Sequence, residues 1–478
     1  MTSIVFVNPP LSVQDRYGLK SQGGAETPPL GLACLAAMTR KHGYDTAVID
    51  AAATNMSYEE ITREILERGC KYVGITAATI SVRNAGRVAE LIKAADKGIT
   101  TIIGGPHLSA LPEETMSRYL SFDIGVIGEG DYTIIDLLEH LETGKELSSV
   151  KGLVYRNGGG LVTTDGRPRV HNLDELPFPA WDLLPNLAKF YCPPVHTLKR
   201  FPAALLIASR GCPGKCMFCA RTVYGNSLRA HSAEYTFEMI KDLYLNYGIR
   251  EIQIRDDNFV AYRQRLVRLC EILRREKLDV VWTCAGRVDM VTPDILKVMK
   301  EAGCWQIWYG IESGSQAILD TVKKNVTIKQ IEDAVQMTLD AGISPCGFFI
   351  IGHPSETIET LEATVEFARR LRLAEAHFSF MTPFPGSELY ERAEEYGVFH
   401  NDWTKLNGWQ VTFVPHGLTA EVLEHYSKKA FSRFYFRPRI VISYIAKIRS
   451  WKHLRFYFLG LVSLLEFLIR KPHTKRQV

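Results

Sequence analysis

Residues 205–222 read LLIASRGCPGKCMFCART, and this stretch decides how the second half of the chain is read. An apolar run with strand character leads straight into Cys212, Cys216 and Cys219, three of the ten cysteines of the chain. Three thiols at C-x3-C-x2-C spacing cannot close into disulfides among themselves, because one always remains over. They also fall one short of the four ligands that a structural zinc site or a complete iron–sulfur site needs. An incomplete ligand set at a strand end points to a metal centre with one position left open for chemistry.

Length and composition set the frame around this loop. A chain of 478 residues has material for about two or three domains with large cores. Hydrophobic residues make up 46% and charged residues 23%, an ordinary globular composition. A net charge of +4 is too small to argue for nucleic acid. The opening MTSIVFVNPP has no basic region leading into an apolar segment, so it reads as a first strand and not as a signal peptide. Ten cysteines without such a signal point to a reducing cytoplasm, where clustered thiols bind metal or react. Cys34, Cys70, Cys192, Cys270, Cys284, Cys304 and Cys346 are scattered and read as small buried hydrophobes.

Upstream, residues 1–150 alternate strand and helix in five units. The strands are expected at 3–8, 45–51, 72–77, 100–105 and 123–130, with amphipathic helices between them. Such alternation calls for a doubly wound, Rossmann-like parallel sheet, with ligands beyond the carboxyl ends of its strands. Those ends carry NPP (8–10), TAATIS (76–81), GGPHLS (104–109) and GEGD (128–131). Each is compatible with simple turn chemistry; four in one sheet favour a large planar or phosphate-bearing ligand. Residues 151–198 read as a hairpin turning at NGGG followed by a proline-rich linker.

From 199 to 415 strand and helix alternate again. Strands at 203–208, 251–259, 280–287, 304–314, 345–354 and 376–385 give six units, as in a full or partial parallel β/α barrel. Polar or glycine-bearing residues at the strand ends mark the catalytic face of such a barrel. A helical C-terminal region is expected over 416–478.

RGCPGKCMFC resembles the signature of radical S-adenosylmethionine enzymes. The resemblance implies that Cys212, Cys216 and Cys219 hold three irons of a [4Fe–4S] cluster, with Phe218 beside the third cysteine. S-adenosylmethionine would take the fourth iron. A zinc site would need a further Cys or His nearby, and His231 lies far along the chain. A doubly wound domain before such a barrel is similar to the cobalamin-binding subfamily, which includes radical methylases and the anaerobic cyclase of bacteriochlorophyll synthesis. On that resemblance Thr76, Ser81, Gly104, Gly105, Pro106, Gly128, Glu129 and Gly130 clasp the corrin. The D-x-H-x-x-G motif that supplies a cobalt ligand in many cobalamin domains does not follow IVFVNPP. His107 is the histidine on a corrin-facing loop, and it reads as a loop or corrin-edge contact instead.

YGIESGS resembles the family strand that contacts S-adenosylmethionine, which implicates Glu312 and Ser313; a carboxylate capping the next helix is the alternative. GFFIIGHPSET resembles the strand whose backbone around Ile350 and Gly352 faces the adenine. Asp256 and Asp257 end another strand, where acid–base, solvated and capping roles all stand open. Arg210 and Arg287 sit at strand ends within reach of ligand carboxylates.

The implied activity is methylation of an unactivated carbon of a small-molecule or lipid-like substrate through a 5′-deoxyadenosyl radical. An electron donor such as ferredoxin or flavodoxin would be needed. A cyclase or carbon–carbon bond former is the alternative within enzymes, and a non-catalytic cobalamin-binding regulator the alternative outside them. Residues 432–478 carry eleven Lys or Arg against Glu466 alone, with aromatics interleaved. Peripheral contact with an anionic membrane face, a helical cap on the barrel and a dimer contact all fit that segment.

Overall fold

The computed structural model describes residues 3–17, 26–191, 193 and 197–446, with four isolated positions at 460, 462, 468 and 469. The N-terminal sheet contains β1 (Ser3–Asn8), β2 (Asp45–Asp50), β3 (Tyr72–Thr76), β4 (Thr100–Gly104), β5 (Ile124–Val126), β6 (Leu153–Asn157) and β7 (Gly160–Thr163). Its order is β2-β1-β3-β4-β5-β6-β7. The first five strands are parallel, and apolar residues fill both of their faces because helices cover both sides. In β1, Val5 and Val7 enter one core and Ile4 and Phe6 the other, as strand alternation requires. Strand order reverses between β1 and β3, which opens a crevice at their carboxyl ends.

The hairpin at 151–170 does not stand apart from this sheet. β6 pairs antiparallel with β5 and β7 with β6, so the hairpin extends the sheet by two strands. The proline-rich segment that follows folds back beside the first domain, where Leu173, Leu176 and Ala180 join one of its cores.

The second sheet contains β8 (Ala203–Leu206), β11 (Glu251–Ile254), β12 (Val281–Gly286), β13 (Cys304–Glu312), β14 (Ser344–Ile351) and β15 (Glu375–Phe380). All six are parallel, in the order β15-β14-β13-β12-β11-β8, with β8 and β15 at the two ends. The barrel is therefore partial. A short antiparallel pair, β9 (Ser209–Arg210) and β10 (Arg229–Ala230), brackets the cysteine loop. A small antiparallel pair, β16 (Gly397–Phe399) and β17 (Phe413–Pro415), follows the barrel.

The helix Ala420–Tyr435 buries Leu423, Tyr426, Ala430 and Phe434. Its Tyr435 hydroxyl donates to the Ala376 carbonyl of β15 at 2.9 Å. The start of the basic aromatic segment thus caps the barrel; its larger part, 447–478, lies almost wholly outside the described residues.

Candidate active site

The cysteine loop is held by backbone before any side chain matters. Arg210 of β9 pairs with Arg229 of β10, which brings the two ends of the loop together. Gly211, directly before Cys212, has φ 86°, and a Cβ there would lie 2.4 Å from the Ser227 carbonyl oxygen. Only glycine fits that approach. Met217 N–H donates to Val322 O at 3.1 Å, and Leu389 N–H donates to Met217 O at 2.8 Å, tying the loop to the barrel.

Cys212 is half-buried, Cys216 buried and Cys219 exposed. A Cβ on Gly214 would lie 3.4 Å from Cys212 Sγ and 4.0 Å from Cys216 Sγ, so this glycine lies directly against both sulfurs. The Cys216 thiol is pulled below its usual range by a hydrogen bond from Cys219, helped by Lys324 and Arg287 and opposed by burial and Glu312. Thiolates are the metal-binding form, and neighbouring cations favour them. Among the described residues no His, Cys, Asp or Glu group is arranged to hold a single ion. Three sulfurs that serve three separate irons do not need such convergence, so the donor set fits a cluster.

Around this loop the barrel strands end in buried polar groups. Glu312 closes β13 at φ 67°, beside a shift in register between Gly310 and Glu312. Its carboxylate meets Lys324 Nζ at 2.6 Å, with both side chains under a tenth exposed. Burial works against the charge on Lys324, but Glu312 and Cys216 outweigh it and raise its pKa. Ser313 is wholly buried: its hydroxyl contacts Thr364 Oγ1 at 3.0 Å and accepts from Ser315 N–H at 3.1 Å. That side chain shapes the turn, leaving Glu312 as the polar group nearer the cysteines.

After β14, the Glu356 carboxylate accepts from the N–H groups of Gly352 and His353 at 2.6 and 2.9 Å. The Gly352 amide is therefore already engaged, and Glu356 sets the shape of the loop. Phe218 and Ile350 meet in one apolar cluster with Met217 and Met381, beside the cysteines.

At the carboxyl ends of the first sheet lies a cavity of about 470 Å³. Thr76, Gly104, Gly105, Pro106, Gly128, Glu129 and Gly130 all line it. Gly105 has φ 100°, and a Cβ there would fall 2.9 Å from both Ala77 O and Thr76 Oγ1. The fit of a flat, bulky ligand rests on such side-chain-free backbone. Ser81 departs from expectation. It does not line the cavity, because its hydroxyl turns back to the backbone of Ala78 at 3.0 and 3.2 Å. His107 is buried beneath the loop, with Nδ1 3.2 Å from Thr79 Oγ1 and its ring edge-on to Trp403 at 4.4 Å. Burial lowers its pKa to about 4, and the residue is a contact between loops, outside the cavity lining.

The same cavity is lined from the barrel side by Ile207, Ser209, Arg210, the loop 220–225 and Asp257. Arg210 is not free for a ligand carboxylate, because Asp131 takes both of its terminal nitrogens at 2.7 and 3.0 Å. Arg287 is similarly engaged by Asp289 at 2.9 Å. Of the two strand-end aspartates, Asp256 is structural: it accepts from Ala208 N–H and Ser209 Oγ at 2.6 Å each. Asp257 alone faces the cavity. His231 pairs with Asp174 at 3.1 Å, which removes it as a fourth ligand for zinc.

Residues missed by sequence reasoning are Lys324, Glu356, Asp131, Arg229 and the cavity-lining part of the linker, Leu173 to Trp181. Asp131 and Glu356 sat inside the quoted GEGD and GFFIIGHPSET stretches. Lys324 and the linker carried no local signal.

The chain is 35% identical, over 92% of its length and 94% of the relative's, to an uncharacterized methyltransferase of Pyrococcus horikoshii. The B12 binding domain family matches residues 19–138 and the Radical SAM superfamily residues 206–368. The chain belongs to the cobalamin-binding radical S-adenosylmethionine enzymes. Its cofactors are a [4Fe–4S] cluster, S-adenosylmethionine and cobalamin, and enzymes of this family require a reductant. It is also 29% identical to the anaerobic magnesium-protoporphyrin IX monomethyl ester cyclase of Rubrivivax gelatinosus, over 80% of this chain and 70% of that one. The cobalamin-dependent radical enzyme OxsB, solved with aqua-cobalamin bound, shares the fold at TM-score 0.74 and 19% identity. That match covers 98% of this enzyme and 72% of OxsB. No helix among the described residues is long and apolar enough to cross a membrane.

Proposed function

We propose that this enzyme methylates an unactivated carbon of a small-molecule or lipid-like substrate held between its two domains. The observation that carries this reading is the shared cavity: corrin-facing strand ends line one side, and the segment continuing from Cys219 lines the other. When bound, the cofactors supply a carbon radical generator and a methyl donor, which is chemistry no side chain offers.

The chain's own residues bind, orient and exclude water. Cys212, Cys216 and Cys219 hold the cluster, with Lys324 and Arg287 offsetting thiolate charge. Glu312, the backbone around Ile350 and Gly352, and Phe218 form the seat of S-adenosylmethionine. Ser313 supports that seat from within the turn. Thr76, Gly104, Gly105, Pro106, Gly128, Glu129 and Gly130 form the corrin-facing floor, and the linker from Leu173 to Trp181 closes it against solvent. Asp257 is the carboxylate that meets the substrate.

The relatives support methyl transfer. Besides the Pyrococcus protein, the cytidylyl-2-hydroxyethylphosphonate methyltransferase of Streptomyces wedmorensis is 28% identical over 76% of this chain and 77% of that one. The cyclase relative favours a second reading, ring closure by the same radical without methyl transfer. Anaerobic turnover with methyl-labelled S-adenosylmethionine, extracted metabolites and a flavodoxin or ferredoxin as reductant separates the two. Labelled product alongside 5′-deoxyadenosine supports methylation; 5′-deoxyadenosine with an unlabelled cyclised product overturns it in favour of the cyclase. Formation of neither would favour the regulatory reading.

Exposed Val441, Ile442 and Ile445 on the helix Pro438–Ala446 support peripheral contact of the basic tail with an anionic membrane. Low-salt sedimentation of the full chain with phosphatidylserine vesicles tests it, and failure to sediment rules it out.

A further inference from the structure

Four charged side chains are buried where the two domains meet beside the cavity. Glu129, on the loop after β5, and Asp131, at the start of the helix Asp131–Thr143, flank Gly130 and are 8% and 4% exposed. Arg210 on β9 and Arg229 on β10 face them with side chains 8% and 9% exposed. Each arginine uses its fork on one carboxylate. Arg210 reaches Asp131 at 2.7 and 3.0 Å, and Arg229 reaches Glu129 at 3.0 and 2.6 Å. A cross contact of 3.8 Å joins Arg210 to Glu129. Arg229 also donates to Val170 O at 2.6 Å and Tyr224 O at 3.0 Å, and the Tyr224 ring lies 5.4 Å from the Arg210 guanidinium.

Burying four charges is a poor way to gain stability, since apolar side chains of similar volume do as well or better. What paired forks give is geometry: two parallel hydrogen bonds fix orientation as well as distance. The location makes that geometry relevant. The carboxylates stand on the loop and helix start that line the corrin side of the cavity, while Arg210 lies two residues before Cys212. Arg229 is the register partner of Arg210. The quartet is thus a short mechanical connection between the floor of one cofactor site and the loop of the other.

We propose that Glu129, Asp131, Arg210 and Arg229 are positioning residues that set the separation between the corrin-facing strand ends and the cysteine triad. The proposal rests on the corrin lying at those strand ends. A substrate that must meet both centres in turn depends on that spacing, because reactivity falls steeply once reacting atoms leave near-contact geometry.

The test uses the full chain with cob(II)alamin and the reduced cluster bound, and reads the magnetic coupling between the two spins. The natural protein should give one well-defined coupling. Arg210→Lys with Arg229→Lys keeps both charges and loses both forks. Asp131→Asn with Arg210→Gln removes one charge pair without leaving an orphan charge. In both double variants the coupling should weaken or spread at least twofold, while iron content, corrin content and the separate spectra of each centre stay unchanged. Hydrogen exchange provides the second measurement: amides of 128–131 and 209–212 should exchange faster together, with the strands of both sheets unaffected.

An unchanged coupling in both variants overturns the proposal. So does a general loss of protection across both sheets, which would make the quartet a folding requirement. If the natural protein with both cofactors bound shows no coupling, the corrin placement has failed, and the clasp falls with it.

Discussion

The cysteine loop, through residues 220–225, and the strand ends of the first sheet line the same cavity but are built in opposite ways. The cysteine loop relies on side chains: three thiols, with Lys324 and Arg287 close enough to favour thiolate at Cys216. The strand ends rely on the lack of side chains: Gly104, Gly105, Gly128 and Gly130 present backbone to the cavity. An iron–sulfur cluster is held by a few covalent ligands, whereas a large flat ligand is held by shape. The first kind of site should fail abruptly when one residue changes. The second should weaken by degrees.

Cys216→Ala gives the largest expected effect. Formation of 5′-deoxyadenosine should drop to background and the reduced-cluster spin signal should vanish, with corrin absorbance retained. Full iron content with activity would break the contrast at once.

Lys324→Met comes next, because it leaves Glu312 buried without its partner. Breaking a buried pair in this way costs about 3–5 kcal/mol. Denaturant titration of the variant should show that loss, and Lys324→Arg should recover much of it. A change under about 1 kcal/mol would mean that water reaches the pair.

Gly105→Ala probes the other site. The left-handed backbone and the close approach to Ala77 O should cost about 1–3 kcal/mol. Titration with cobalamin should show affinity reduced roughly tenfold, equal to about 1.4 kcal/mol, with iron content unchanged. Loss of iron in this variant would show that the two sites are not separable.

Glu356→Gln should show its effect only through pH. Burial raises the Glu356 carboxyl to about 7 against the pull of two backbone N–H groups. Its folded pKa lies above its unfolded one, so its contribution is full below about pH 4.3 and is lost as pH rises through about 7. The glutamine variant should gain on the natural protein progressively over that window, by up to about 3 kcal/mol. A stability difference that is flat with pH would place the ionisation elsewhere.

Legibility followed the same division. The eleven parallel-strand positions that could be read from apolar runs all formed strands, because periodicity and burial are local signals that packing here reinforces. The hairpin at 151–170 was legible as a hairpin, but its pairing with β5 was not, since an edge partner is chosen by neighbouring backbone. Cys212, Cys216 and Cys219 stood out in the sequence by their spacing, and the structure gathers them on one loop bracketed by β9 and β10. Ser81 does not line the cavity, for residue type and loop position do not reveal which way a side chain turns.

Sequence by itself determined the parallel strands of both sheets, their order along the chain and the close spacing of three thiols. Tertiary structure alone decided which charges meet. Glu129 and Asp131 reach Arg229 and Arg210 across 100 and 79 residues, and Lys324 returns 12 residues to Glu312. Local propensity acts over a few residues and can be read in a line. Pairing of buried charges depends on which surfaces the packed domains bring into contact, and no run of residues encodes that contact on its own.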